Sequence, residues 1–297
     1  MVAVISFIKD KRKGIFAKIM HYLFPKVLKT IYNIKLLPDN IIFYYVTIPV
    51  CNENGTVRCL NKLIREMRND NIYEFICCNG KLSEYLINNG FKRLVCREYL
   101  IKQINNAVKT LANETGIMPS RLTISIYDRN EKNDIKPLVE SACRLAKNVT
   151  FITPFYERYN SLIMKLYEDY GTAAIITDSF DAVRRSHIVI SVNNTRDLLR
   201  NTSIPIGAAL FNLDEFFKPE AFLPYTVIDA FSFYLPEGIK NLCPDDLPMW
   251  EFAAALALNG LSDIDITKIE NYYSFGNILS VKSVADGIKM LDRKRYV

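Results

Sequence analysis

Residues 122–194, LTISIYDRNEKNDIKPLVESACRLAKNVTFITPFYERYNSLIMKLYEDYGTAAIITDSFDAVRRSHIVISVNN, decide the fold. Short apolar runs at 122–127, 149–153, 173–177 and 188–192 read as strands. Helical patterns at 134–147, 158–170 and 181–186 separate them. Strands alternating with helices predict a parallel sheet covered on both faces, because parallel strands need crossovers that place helices there. The fold class expected is therefore α/β, with a doubly wound, mostly parallel sheet at its centre.

A smaller α/β unit precedes this sheet. Residues 41–50 and 73–78 read as strands, 91–96 as a third, and the helices between them carry apolar stripes such as Leu60, Leu63, Ile64 and Met67. One long helix over 98–115, ended by Gly116 and barred from continuing by Pro119, reads as the connector. The expected division is 1–40, a basic amphipathic arm; 41–118, an N-terminal α/β domain; 119–247, the main sheet domain; and 248–297, C-terminal helices returning towards the N-terminal domain.

The arm carries the whole formal charge of +6, since eight Lys and Arg there face only Asp10 and Asp39. Ile15, Phe16, Ile19, Met20, Leu23 and Phe24 recur at helical spacing. Such a stripe predicts docking on the protein itself, within the subunit or across a homodimer. Contact with an anionic membrane surface is the alternative, weakened by salt. The longest apolar run, 41–51, is too short to span a bilayer, which needs ~20 residues. With seven cysteines and no leader-like N-terminus, a reducing cytoplasm is the expected location. No nucleic-acid partner is expected.

The main sheet reads as Rossmann-like but lacks the glycine-rich fingerprint. A dinucleotide needs glycines after the first strand for a tight turn and close approach to the pyrophosphate. Residues 127–134, YDRNEKND, have none, and Asp128 and Glu131 would repel a diphosphate. The second strand ends in Thr153-Pro154-Phe155 where a ribose-binding acid is usual. No cofactor is therefore expected. NAD(P) held through Arg129 or Arg158 in place of glycine backbone is the alternative.

The order of elements, with residues 181–195 (DAVRRSHIVISVNNT), resembles the shikimate/quinate dehydrogenase and glutamyl-tRNA reductase group of two-domain Rossmann proteins. The resemblance implies descent from a dehydrogenase-like ancestor with a cleft and a nucleotide. The missing glycines favour a non-catalytic or divergent protein that binds a small ligand or a partner segment. The alternative is an NAD(P)-dependent oxidoreductase of the shikimate dehydrogenase type with an atypical cofactor site. Asn130, Thr153, Asp178, Ser179, Asn193 and Asn194 fall at the carboxyl ends of strands, where open α/β sheets bind ligands. They form the expected ligand cleft, between the two domains. Ordinary turn and cap chemistry would place the same residue types there.

Other motifs are weaker. Cys77-Cys78-Asn79 faintly echoes the nucleophile context of glutamyl-tRNA reductases, and a buried core filler is the plainer reading. Cys51, Cys59, Cys77, Cys78 and Cys96 include no CxxC pair, so no metal site is expected. Two histidines, His21 and His187, are too few for a multi-histidine centre.

Overall fold

The computed structural model describes residues 2–9, 27–30, 41–48, 53–77, 79–130, 135–214, 217, 223–259 and 265–295. The chain is α/β and divides into two compact units, Met1–Tyr99 with Tyr234–Asp265, and Leu100–Phe233 with Ile266–Val297.

The first unit contains strands β1 (Val2–Lys9), β2 (Val27–Thr30) and β3 (Ile41–Ile48), then helix α1 (Glu53–Asn69) and strand β4 (Glu74–Ile76). Helix α2 (Gly80–Asn88) and strand β5 (Lys92–Arg93) follow. The sheet order is β2-β3-β1-β4-β5, with β2 antiparallel and the remaining pairings parallel. Residues 2–9 and 27–30, expected in a helical arm, are thus strands of this sheet. β1 lies in the middle of the sheet, with Val2, Ala3, Val4 and Ile5 almost completely buried. An apolar, β-branched run suits a strand covered on both faces; the charge that drew attention to the segment begins only at its end. The helix expected over 15–24 lies outside the described residues.

The apolar stripe of α1 packs as its spacing predicts. Cys59, Leu60, Leu63, Ile64 and Met67 join Ala3, Ile5, Tyr44 and Phe75 in one core. The returning segment completes the unit with helices α8 (Glu237–Lys240) and α9 (Met249–Leu258), and Phe252 of α9 lies 6.0 Å from Phe43 of β3.

The 98–115 region is two helices, α3 (Cys96–Lys102) and α4 (Ile104–Thr115), broken at Gln103. Gly116, in the left-handed region at φ 61°, ends α4 as expected. The second unit then alternates β6 (Thr123–Tyr127), α5 (Lys136–Leu145), β7 (Asn148–Ile152), α6 (Tyr156–Tyr170) and β8 (Ala173–Thr177). A 3-10 turn (Phe180–Arg185) leads to β9 (Ile188–Ser191), α7 (Thr195–Asn201), β10 (Ala209–Asn212) and β11 (Thr226–Ile228). All pairings are parallel, in the order β11-β10-β9-β6-β7-β8. Read from β8, this is the 3-2-1-4-5-6 order of the doubly wound fold.

The apolar run 225–231, which reads as a single strand, is split. After β11 the chain leaves the parallel sheet and forms β12 (Ala230–Phe233), which pairs with the hairpin β13 (Ile269–Ser274) and β14 (Asn277–Ser280). Phe275 and Gly276, both at positive φ, make its two-residue turn. Tyr272 of β13 packs edge-on against Phe211 at 5.8 Å and donates to the Ala107 carbonyl at 2.7 Å. The last helix, α10 (Val281–Arg295), belongs to this unit and not to the first. Gly207 and Gly287 permit its approach, since a Cβ on Gly207 would sit 2.6 Å from the Gly287 carbonyl oxygen.

At the amino end of this sheet, His187 is buried to 1% exposure. Its Nδ1 accepts from the Thr123 amide at 3.1 Å, while Nε2 lies 3.2 Å from Arg295 Nη1 and 3.5 Å from Asp292 Oδ1. Burial above all, then the Arg295 charge, pushes the imidazole pKa down to about 4. The unfolded chain therefore binds the proton first, so His187 supports the fold fully above pH ~6.5 and loses that support as pH falls towards 4. Wild-type protein should lose about 3 kcal/mol more stability than His187→Asn between pH 7 and 4, read from urea unfolding at each pH. Equal losses would assign acid sensitivity to the carboxylates alone.

Candidate functional site

In the second unit the chain leaves β6 towards β7 on one side and β9 towards β10 on the other. The connections diverge at that point, and a crevice opens beyond the carboxyl ends of the two strands. Tyr127 ends β6 and Ser191 ends β9, so the loops that follow them furnish the site.

The loop after β6 is fastened by a buried carboxylate. Asp128, 2% exposed, accepts at Oδ1 from the Asn130 amide at 2.9 Å and from the side-chain amide of Asn193. Asn193 Oδ1 in turn accepts from the Arg129 amide at 3.1 Å. Asn193 therefore bridges the two loops, and Asp128 holds the turn where a dinucleotide fold would have glycine.

A second group involves α7. Asp197 Oδ2 accepts from the Tyr127 hydroxyl at 2.7 Å and from Arg129 Nη1 at 2.8 Å. These bonds, Tyr127 first, hold the Asp197 carboxyl below its ordinary range. Burial raises the Tyr127 phenol, so it stays a neutral donor. Arg129 is thus the partner of Asp197. Arg158, the other cation considered for a cofactor, lies over the Tyr159 ring at 5.5 Å.

Beneath these, the completely buried Thr195 Oγ1 lies 2.8 Å from both Ser191 Oγ and Asn212 Oδ1. The Thr195 amide donates to Asp214 Oδ2 at 3.0 Å, which caps the start of α7 from outside it. Asn194 precedes this helix at φ 49°, a conformation that Asn tolerates better than most residues, and makes no side-chain cap bond.

Of the six expected cleft residues, the structure brings Asn130 and Asn193 together around Asp128, with Asn194 beside them. Thr153, Asp178 and Ser179 lie instead in the loops after β7 and β8. Thr153 is buried, and its hydroxyl accepts from the Phe155 amide at 3.3 Å. Ser179 accepts from Asp181 at 3.3 Å as the cap of the 3-10 turn, and Asp178 is exposed. Sequence reasoning missed Asp197, Thr195, Asn212 and Asp214, and read Asp128 only as a repellent charge. The run Asn193-Asn194-Thr195-Arg196-Asp197 after an apolar strand is a helix-start signature that could have drawn attention to them.

The described cysteines have raised pKa values, which keeps their thiols protonated at neutral pH. Burial raises Cys77 and Cys143 to about 11 and Cys96 to about 12. Among the described residues no group of histidine, cysteine or acidic side chains is arranged to hold a metal, and no helix is long and apolar enough to cross a membrane.

No protein-family model matches the chain, and no curated protein is similar to it. Similar solved structures include aspartate transcarbamoylase from Trypanosoma cruzi in complex with phosphate, at 9% identity over 71% of each chain with a TM-score of 0.31. Ornithine carbamoyltransferase from Pyrococcus furiosus is 11% identical over 88% of this chain and 81% of that one, with a TM-score of 0.29. Likenesses so distant carry no argument about activity. They are nonetheless not shikimate dehydrogenases or glutamyl-tRNA reductases, and the resemblance drawn from residues 181–195 is withdrawn. In the structure that segment is a 3-10 turn, β9 and the loop in which Asn193 bonds Asp128. The non-catalytic dehydrogenase descendant and the NAD(P)-dependent oxidoreductase both rested on that resemblance and fall with it.

The network itself is testable. Thr195→Val keeps the shape but removes the oxygen between Ser191 and Asn212, leaving buried polar groups short of a partner. It should cost about 1–3 kcal/mol in urea unfolding; a neutral substitution would show that the network is not coupled to stability.

Proposed function

We propose that the second unit recognises a small, hydrogen-bond-donating molecule, such as a polyol or an amine, at the switch point between β6 and β9. The observation that supports this reading is the convergence of acceptor-bearing side chains there. Asp128 and Asn193 join the loops after β6 and β9, and Asp197 follows in the first turn of α7, at the edge where open parallel sheets take their ligands. Asn130 and Asn194, both exposed, form the rim. Arg129 is paired with Asp197, which weakens its pull on a phosphate.

A thermal-shift screen of small polyols, amino sugars and polyamines tests the proposal. At least one compound should raise the melting temperature of the wild-type protein, and Asn194→Gly should reduce that shift. Glycine removes the rim side chain while keeping the positive φ that the α7 entry needs. A panel without a stabilising compound, or one whose effect is unchanged in the variant, would overturn this reading.

A further inference from the structure

β8 is an edge strand of the second sheet, paired with β7 on one side only. The Thr177 carbonyl accepts from the Thr153 amide at 2.9 Å, so the odd-numbered residues of β8 turn their backbone groups towards β7. Those of Ala174 and Ile176 therefore point out of the sheet. The Ala174 amide is engaged locally by the Thr172 carbonyl at 2.9 Å, and the Ile176 amide and both carbonyls line the edge.

Proteins usually blunt such an edge with a charge, a proline, a bulge or a shortened strand. β8 has none of these. Its sequence is AAIIT, it is as long as β6 and β7, and it pairs with β7 in unbroken register. Ile175, at its middle, is 58% exposed. The opposite edge is treated differently: β11 is shorter, and its Val227 and Ile228 are buried.

The flanks of β8 carry opposite charges. At its amino end Lys147 Nζ donates to the Tyr170 carbonyl and would lie 3.9 Å from a Cβ on Gly171. At its carboxyl end stands Asp178, exposed. A parallel copy would set like charge against like. An antiparallel copy, turned about a two-fold axis at Ile175, sets residue 178 of each chain opposite residue 172 of the other, beside the Lys147 ammonium. The same axis makes Ile175 its own partner in a non-hydrogen-bonded pair, where side chains approach most closely. It also aims each Ile176 amide at the Ala174 carbonyl of the other copy. The edge is thus complementary to itself in backbone, apolar contact and charge.

We propose that β8 is a dimerisation edge, through which two copies of this chain pair antiparallel about Ile175 and join their sheets into one. The edge lies beyond β7 from the β6–β9 crevice, so the proposal does not depend on the ligand reading made there.

Sedimentation equilibrium of the full chain at micromolar concentrations tests it. The wild type should show a monomer–dimer equilibrium. Ile175→Lys, which sets two charges against each other at the axis, should give a folded monomer with an unchanged circular-dichroism spectrum. Asp178→Lys and Lys147→Asp should each weaken the dimer about ten-fold. The chain carrying both should recover it, because the pairs re-form with their signs exchanged. A wild type that stays monomeric, leaving the edge to a strand of some other protein, would overturn the proposal. So would a dimer indifferent to Ile175→Lys, or one that the double reversal does not restore. Should Ile175→Lys fail to fold, Asp178→Lys, at an exposed loop position, carries the same decision.

Discussion

The bond between Asp128 and Asn193 sets the character of the second unit. In a doubly wound sheet the first loop must be secured somehow, because it ends the central strand and carries the backbone into the first crossover. Dinucleotide folds secure it with glycines and leave its amides facing the ligand. Here a carboxylate, 2% exposed, takes the Asn130 amide and the Asn193 side chain into itself. A buried carboxylate is tolerable only when its oxygens are satisfied, so the loops after β6 and β9 are tied together. The rest of the edge follows: Asn193 orients Arg129, Arg129 meets Asp197, and Asp197 receives Tyr127.

Each unit carries an arginine–carboxylate pair, Arg129–Asp197 in the second and Arg93–Glu251 in the first. The two guanidiniums are about equally exposed, at 42% and 45%, whereas Asp197 is 38% exposed and Glu251 only 7%. The pairs differ in the carboxylate: that of the first unit is desolvated, and burial raises its pKa against the pull of Arg93.

Most of the second sheet was legible because Val- and Ile-rich runs such as 188–192 could be nothing but strands between capped helices. The middle strand of the first sheet was obscured by Lys9, Lys11, Arg12 and Lys13: a strand followed by a charge cluster reads as the start of a basic arm when only composition is weighed. The β13–β14 hairpin was missed because its turn is Phe275-Gly276, and a phenylalanine at positive φ gives no propensity signal. At the site, Asn130 and Asn193 were found because turn residues at strand ends are few. Asp197 and Asp214 were missed because Asp197 lies inside α7, six residues beyond the end of β9, and Asp214 follows β10, on a different connection. What joined them is tertiary, through the Tyr127 hydroxyl and the Thr195 amide.

The central claim is that the Asp128–Asn193 tie closes the first loop of a dinucleotide-type sheet against pyrophosphate. Calorimetric titration of the full chain with NADH and NADPH tests this most directly. The account predicts no saturable heat up to millimolar cofactor. Binding of either cofactor at micromolar affinity would contradict it, since the carboxylate would then have to leave the turn it holds.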